Sequence, residues 1–182
     1  MATDILTEEQ RNTYGNFSGD PTPEQLTRYC YLDPTDRAFI KTRRGTPYLQ
    51  LGCALQLMTV RFLGTFLEQP LAVPESVVAF AAEQLHISDW SDLPQYGHSR
   101  ARFDNRPQIR ERYGYKDFSE PGEQWSLMRW LYARAWHSAD TPVVLFAVAT
   151  LRLFERKVLL PGVTVLERLV ARIADQASER LW

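Results

Sequence analysis

The chain has 182 residues, of which 45% are hydrophobic and 24% are charged, and its formal net charge is −1. This composition is too apolar for a disordered protein and too varied for collagen or a coiled coil. No apolar stretch approaches the roughly 20 residues of a membrane-spanning helix, and the N-terminus lacks the pattern of a signal peptide. Cys30 and Cys53 are too few for a disulfide framework. We therefore expect a cytoplasmic globular protein that does not bind membranes.

The charge is unevenly distributed along the chain. Residues 1–34 carry two bases against six acids, residues 35–116 carry eleven against eight, and residues 117–182 carry eight of each. The middle segment is thus the only basic one, and its bases are clustered. This distribution favours residues 35–116 for contact with an anionic partner.

Every segment with a readable pattern predicts a helix. Thr22, Asp33 and Thr141 each precede a proline, which is typical of an N-cap followed by the first helical residue. The longest regular pattern predicts a helix over 47–63 that ends at Gly64. Its apolar stripe consists of Leu51, Leu55, Met58 and Phe62. Further helices are predicted from Pro74, over 120–137, over 142–157 and from Thr164 onwards.

The part of the chain between these regular helices has a weaker pattern. A short helix is expected around residues 89–93. Pro107 divides the next pattern, so Asn105 is expected to cap a helix over 106–113. The polar segment 115–124, which contains proline and glycine, predicts the main boundary of the chain.

The fold class predicted by these elements is all-α. We expect a multi-helix bundle with helix-turn-helix-like elements over residues 1–116. A C-terminal three-helix unit is expected over residues 117–182. The sequence has no internal repeat and no convincing pair of strands.

No residue pattern predicts catalysis or metal binding. His86, His98 and His137 lie in different segments and have no partner at metal-ligand spacing. There is also no glycine-rich phosphate loop and no serine in a nucleophile elbow. We therefore predict no catalytic residue and no metal ligand in this chain.

Aromatic residues are concentrated near the predicted boundary. Trp125, Met128, Tyr132 and Trp136 recur at helical spacing. Such a stripe can form a base-stacking platform, but packing in a core is the interpretation that we favour.

The first basic feature leads into the helix at 47–63. Lys41, Arg43 and Arg44 precede Gly45, which gives the outline of a helix-turn-helix. The polar face of the following helix is predicted to present Tyr48, Gln50, Gln56, Thr59 and Arg61. Glutamine and arginine side chains can contact base edges. The alternative is an ordinary helical hairpin within a bundle.

The second basic feature is the segment 98–116, which contains six bases and two acids. Its arginines are Arg100, Arg102, Arg106, Arg110 and Arg112. Guanidinium groups bind phosphates in bidentate geometry and also read guanine, so this segment is a candidate DNA-binding surface. The alternative is a solvated charged face of a helix that Phe103, Ile109 and Tyr113 hold to the bundle.

Several short motifs also follow one another in a characteristic order. They cover residues 6–11, 51–57, 61–66, 82–85 and 161–169. The most specific is Leu51-Gly52-Cys53-Ala54-Leu55-Gln56-Leu57, followed by Leu63-Gly64-Thr65-Phe66. Together these motifs resemble the N-terminal region of the Tn-three family transposases, the large replicative enzymes of class II bacterial transposons.

The resemblance implies sequence-specific binding of double-stranded DNA at the terminal inverted repeats of a transposon, near the bacterial nucleoid. It also implies that the Asp-Asp-Glu catalytic domain and its divalent metal lie outside this chain, which then has no cofactor and is not an enzyme by itself. We expect a fragment or a truncated product. Many relatives carry Asn-Arg where this chain has Leu49 and Gln50, so an arginine contact there would be lost or changed, although Gln50 could still read adenine.

The DNA-binding residues that we predict come from both basic features: Lys41, Arg43, Arg44, Tyr48, Gln50, Gln56, Arg100, Arg102, Arg106, Arg110 and Arg112. Residues 117–182 are either a second DNA-binding module or a connector, and the balance of their charges favours a connector. The alternative function is a helical protein-interaction module that mediates transposase assembly by contacting a second transposase subunit.

Overall fold

The computed structural model describes residues 5–43, 45–138 and 140–179. The described residues form ten α-helices. These are α1 Glu8–Thr13, α2 Pro23–Tyr29, α3 Pro34–Lys41, α4 Pro47–Leu63, α5 Glu75–Leu85, α6 Pro94–His98, α7 Ala101–Tyr113, α8 Glu123–His137, α9 Pro142–Glu155 and α10 Val163–Glu179. The only β-type pairing in this part of the chain is an isolated bridge between Lys116 and Val158. The prediction of an all-α fold is therefore confirmed.

The predicted helix starts depend on local chemistry. The side chain of Thr22 accepts a hydrogen bond from the backbone N–H of Gln25, and that of Asp33 accepts one from Asp36. Thr141 caps α9 in the same way. In each case a proline follows the cap, where its missing N–H costs no hydrogen bond. Sequence alone was sufficient here because every interaction is confined to one helical turn.

The chain divides into two compact units. The central unit is Gly15–Gly114. The terminal unit contains the segment up to Tyr14 together with the chain from Tyr115 onwards. Among the described helices, none is long and apolar enough to cross a membrane.

The central unit is built around α4. Every residue from Leu51 to Val60 is buried, because α2, α3, α5, α6 and α7 all pack on this helix. Gly52 allows α6 to approach α4 closely, since a Cβ at that position would lie 2.3 Å from ring atoms of Tyr96. Tyr96 is fully buried, and its hydroxyl accepts a 2.9 Å hydrogen bond from Nδ2 of Asn105.

Two predictions for the middle of the chain are wrong. The short helix lies at Pro94–His98 and not at 89–93, because the Asp89 side chain accepts a hydrogen bond from the Ser91 N–H and forms a turn there. The second correction concerns Asn105, which does not cap a helix at 106. It lies buried inside the continuous helix α7, where Tyr96 satisfies its side chain.

Pro107 lies inside α7 without ending it. It removes only the hydrogen bond to the carbonyl four residues earlier, that of Phe103. The helix is held instead by its buried face, which carries Asn105 and Ile109.

The terminal unit packs α8, α9 and α10 around one apolar core. Its most deeply buried side chains are Leu127, Leu131, Leu145, Ala149, Leu153, Val158, Leu166 and Val170. Leu127 and Leu131 occupy the inner face of α8, and Met128 and Tyr132 of the aromatic stripe pack against the edge of the core, whereas the two ends of the stripe turn away from it. Trp125 and Trp136 are 59% and 50% exposed. The expectation that these two tryptophans pack in the core is wrong.

The N-terminal segment belongs to the terminal unit through Ile5 and Leu6, which are buried in its apolar core, and through polar contacts. Arg11 forms an ion pair with Glu167, with 3.0 Å between Nη2 and Oε1, and the backbone N–H of Leu6 donates to the same carboxylate. The hydroxyl of Tyr14 donates to the carbonyl of Pro161 at 2.9 Å. This arrangement differs from the predicted division at 116/117, which placed the whole of 1–116 in one domain. Partners so distant in sequence leave no local pattern.

Candidate nucleic-acid interface

The structure brings the two predicted basic features onto one surface of the central unit. Arg43 follows the end of α3, and its Nη1 donates a hydrogen bond to Oε1 of Gln108 on α7. A cavity of about 270 Å³ lies between the two segments. Its lining residues are Thr42, Arg43, Leu49, Ala101, Asp104, Asn105 and Gln108. We call this surface, formed by the α3–α4 turn and the outer face of α7, the basic surface.

Three predicted cations on the basic surface are exposed. They are Lys41, Arg100 and Arg112. The side chain of Arg100 is 91% exposed, and its Nε lies 3.7 Å from Asp104 one turn further along α7. An ion pair this exposed contributes little stability and is easily exchanged for another anion. These three side chains are available to bind a ligand.

Two other arginines are held against aromatic rings. The guanidinium carbon of Arg43 lies 4.5 Å from the ring centroid of Phe39, and that of Arg102 lies 4.4 Å from the centroid of Phe103. Both arginines are half-buried, as is Arg110. Stacking on a ring fixes the plane of a guanidinium while leaving its edge able to donate hydrogen bonds. Arg44, also predicted here, lies outside the described residues.

Arg106 has a structural role instead. Its Nη2 donates to the carbonyl of Leu67 at 2.6 Å and reaches that of Glu68 at 3.5 Å. Burial lowers the pKa of this guanidinium, which nevertheless remains charged at neutral pH. Arg106 thereby ties the α4–α5 linker to α7, and we leave it out of the candidate interface.

The polar face predicted for α4 is not exposed. Gln56 is 2% exposed and Thr59 is 1% exposed. The Nε2 of Gln56 donates to the carbonyl of Arg102 at 2.9 Å, so this side chain anchors the start of α7. Tyr48 and Gln50, nearer the start of α4, are half-buried. The prediction treats α4 as amphipathic, whereas neighbouring helices cover its central residues 51–60 on all sides. Gln56 therefore does not belong to the interface.

A buried ionic cluster lies beneath the basic surface, and the sequence pattern does not predict it. Asp36 is 2% exposed, and both of its oxygens accept hydrogen bonds from Arg61 at 2.8 Å. Tyr113, at the end of α7, donates to Oδ1 of Asp36 at 2.7 Å. The sequence suggested only that Asp36 favours the start of α3. Nothing local indicates that its partners lie 25 and 77 residues away.

The cluster keeps Asp36 ionised. Burial by itself raises the pKa of this carboxyl, but the hydrogen bonds from Arg61 and Tyr113 outweigh burial and hold the pKa below its usual value. The pKa of Tyr113 is raised, first by burial and then by its bond to the carboxylate. A charged, fully bonded Asp36 therefore links α3, α4 and the end of α7, and so positions the helices of the basic surface.

The described residues contain no group of three or more His, Cys, Asp or Glu side chains arranged to hold a metal ion. Cys30 and Cys53 are buried free thiols. Burial raises the pKa of Cys30 to about 11 and that of Cys53 to about 12, so neither is a reactive thiolate at neutral pH.

Comparison with known proteins places the chain in a family. It belongs to the family described as "Domain of unknown function (DUF4158)", whose model matches residues 5–173. Within curated proteins, it is similar to the N-terminal region of Tn-three family transposases. The resemblance inferred from the sequence motifs is therefore confirmed.

Three relatives illustrate the similarity. The transposase for transposon gamma-delta of Escherichia coli strain K12 is 43% identical over the whole chain, which covers 18% of that protein. The transposase for transposon Tn3926 of Escherichia coli is 26% identical over 87% of the chain and 16% of its own length. The transposase for transposon Tn1546 of Enterococcus faecium is 26% identical over 98% of the chain and 18% of its own length. The chain thus spans less than a fifth of these relatives.

Proposed function

We propose that this chain binds double-stranded DNA at the terminal inverted repeats of a transposon, as the N-terminal part of a replicative transposase. The observation that carries the proposal is the pairing of two basic segments on one surface, where Arg43 at the end of α3 donates to Gln108 on α7. Membership of the family supports it, because the relatives are transposases, and a transposase acts on DNA.

The exposed cations provide the contacts to phosphates. Lys41, Arg100 and Arg112 project from the α3–α4 turn and from the two ends of α7. Each phosphate that they neutralise releases condensed counterions, so the affinity for DNA falls as the salt concentration rises. These contacts fix the position of the protein on the duplex and carry no sequence information by themselves.

The outer face of α7 provides the contacts to bases. The helix has 13 residues and is therefore about 20 Å long. Its diameter with side chains, about 10–12 Å, suits a major groove about 12 Å wide. Gln108 is exposed on this face, and a glutamine amide pairs with adenine in bidentate geometry. Arg43, held by Phe39 and Gln108, is positioned to contact guanine or a phosphate. The sequence contained Gln108 within the basic segment but gave no reason to select it.

The chemistry of cutting and joining DNA belongs to another part of the transposase in this proposal. The chain covers only 18% of its relative for transposon gamma-delta, so most of that protein lies outside the matched region. The divalent metal of the Asp-Asp-Glu domain is assigned to that other part. The function proposed for this chain is therefore recognition and not catalysis.

Fluorescence anisotropy tests the proposal directly. The chain is titrated onto a labelled duplex carrying a terminal inverted repeat of transposon gamma-delta and onto a scrambled duplex of equal length, each at two salt concentrations. We expect a preference for the repeat of at least tenfold and a steep loss of affinity with salt for both duplexes. Equal affinity for the two duplexes would contradict end recognition, and the absence of salt dependence would contradict phosphate binding.

A further inference from the structure

The terminal unit contains an open groove of about 790 Å³ between α8 and α10. Its floor is apolar, formed by the half-buried Met128 and the buried Leu169 and Ile173. Two large apolar side chains at its rim face solvent, since Trp125 is 59% exposed and Val165 is 46% exposed. Apolar side chains that a unit leaves uncovered in one continuous groove mark a binding surface.

The same groove is positively charged. Arg129 on α8 and Arg168 and Arg172 on α10 line it, and all three are exposed. No carboxylate is among the described residues that line the groove, and none of the ion pairs found in the described part of the chain involves these arginines. Arg168 and Arg172 are one helical turn apart, so they present a double positive charge along one edge.

Two carboxylates on the same helices are already neutralised elsewhere, and Asp175, exposed on α10 three residues after Arg172, is not among the residues that line the groove. Glu167 on α10 is buried and pairs with Arg11. Glu123 at the start of α8 pairs with Lys116 at 2.7 Å and with Arg156 at 3.6 Å. The positive charge of the groove is therefore not compensated from within by either of these acids.

We infer that this groove binds an amphipathic helix of a partner protein, with apolar residues at i, i+3, i+4 and i+7 and with Asp or Glu along its flanks. A channel between two packed helices has the shape that accepts a third helix. The apolar floor buries the stripe of the incoming helix, while the arginine edge selects acidic flanks. Duplex DNA fits less well, because its phosphates offer nothing apolar to cover Met128, Leu169 and Ile173.

A peptide library tests this inference on the full chain. Displayed helices carry a fixed leucine stripe at i, i+3, i+4 and i+7, and their flanking positions vary among Glu, Lys and Gln. We expect selection to enrich Glu at the flanks. The enriched peptide, labelled for anisotropy, should bind at least tenfold more weakly to the double variant Arg168→Glu/Arg172→Glu and to Trp125→Ala.

Two controls separate this site from the basic surface. The charge-matched double variant Arg100→Glu/Arg112→Glu, at two exposed residues of the central unit, should bind the peptide as the parent chain does. The variant Arg168→Glu/Arg172→Glu should keep the parent affinity for the gamma-delta end duplex, so the result does not depend on the proposed function. Because the substituted side chains are exposed, circular dichroism should show unchanged helix content.

Three outcomes would overturn the inference. The first is selection that enriches no peptide or enriches Lys at the flanks. The second is loss of duplex affinity in Arg168→Glu/Arg172→Glu, which would assign the groove to DNA. The third is that sedimentation detects self-association of the chain and that the same variant abolishes this self-association, which would assign the groove to a second copy.

Discussion

The hydroxyl of Tyr113, the last residue of α7, donates a 2.7 Å hydrogen bond to the buried carboxylate of Asp36 in the first turn of α3. This bond ties the end of the exposed helix to the ionic cluster beneath it. We expect Tyr113→Phe to lower the free energy of unfolding by about 1–3 kcal/mol, because a buried acceptor loses a donor. Urea unfolding followed by circular dichroism measures the change. Tyr31→Phe, at an exposed tyrosine, is the matched control and should change stability by less than about 0.5 kcal/mol.

Removing Arg61 should have a larger effect that depends on pH. Arg61→Leu leaves Asp36 buried without its cation, which costs about 3–5 kcal/mol at neutral pH. In the parent chain the pKa of Asp36 is lowered. The ionised carboxylate therefore stabilises the folded state fully above the unfolded pKa of about 3.9, and this stabilisation is lost as pH falls through the lower folded pKa. Without Arg61 the carboxyl of Asp36 takes up its proton at a higher pH than in the parent chain, so the stability difference should shrink as pH falls from the folded pKa of the variant to that of the parent. A difference that is constant from pH 7 to pH 3 would show that Asp36 is not the group involved.

Gly52→Ala tests the tight contact between α4 and α6. Alanine normally favours a helix over glycine by about 1 kcal/mol, but here its Cβ would lie 2.3 Å from the ring of Tyr96. We expect net destabilisation of about 1–3 kcal/mol from overpacking, measured by thermal unfolding. Gly97→Ala is the control, because the added Cβ would meet only Leu71 at an ordinary 3.5 Å. If the two variants are equally stable, the close approach does not exist in solution.

Glu167→Gln tests how the N-terminal segment is held. The change removes the ion pair with Arg11 and weakens the hydrogen bond from Leu6. We expect amide exchange to speed up by at least tenfold in the segment 5–14, while amides of α4 keep their protection. Hydrogen exchange followed by mass spectrometry resolves the two regions. Faster exchange throughout the chain would instead indicate that the two units unfold together.

Two substitutions on α7 separate phosphate contacts from base contacts. Arg112→Ala should weaken binding to the gamma-delta end duplex and to a scrambled duplex alike, and should reduce the slope of log affinity against log salt by about 1. Gln108→Ala should instead reduce the preference between the duplexes, by about 1–3 kcal/mol if the amide reads a base. Arg129→Ala, an exposed arginine of the terminal unit, is the control. Unchanged binding in both α7 variants would remove the basic surface from the proposed function.

Sequence predicts well those parts of the fold that are determined by interactions within one helical turn. Thr22, Asp33 and Thr141 are caps because their side chains reach an N–H three residues on. Gly64 ends α4 because it adopts a left-handed conformation with φ of 75°. Such interactions need no knowledge of the rest of the molecule, and they located most of the helices correctly.

The parts that sequence does not predict depend on which face of a helix meets another. Gln56 has a polar side chain of the kind usually found at the surface, yet it is buried against the start of α7. Trp125 has a large apolar side chain of the kind expected in a core, yet it faces solvent. In the candidate interface, the two basic segments were identified separately, but their meeting at Arg43 and Gln108 is a tertiary contact across 65 residues.

The ion pair between Arg11 and Glu167 joins residues 156 positions apart, and this has a consequence for synthesis on the ribosome. At about 5–20 residues per second, Arg11 is made roughly 8–30 s before its partner. Helix α1 has six residues, too few to be stable alone in water. Meanwhile Gly15–Gly114 is complete and free to fold, which shortens the effective loop that must close before α1 can dock. The segment that contains α1 is thus translated before the central unit but acquires its structure after it.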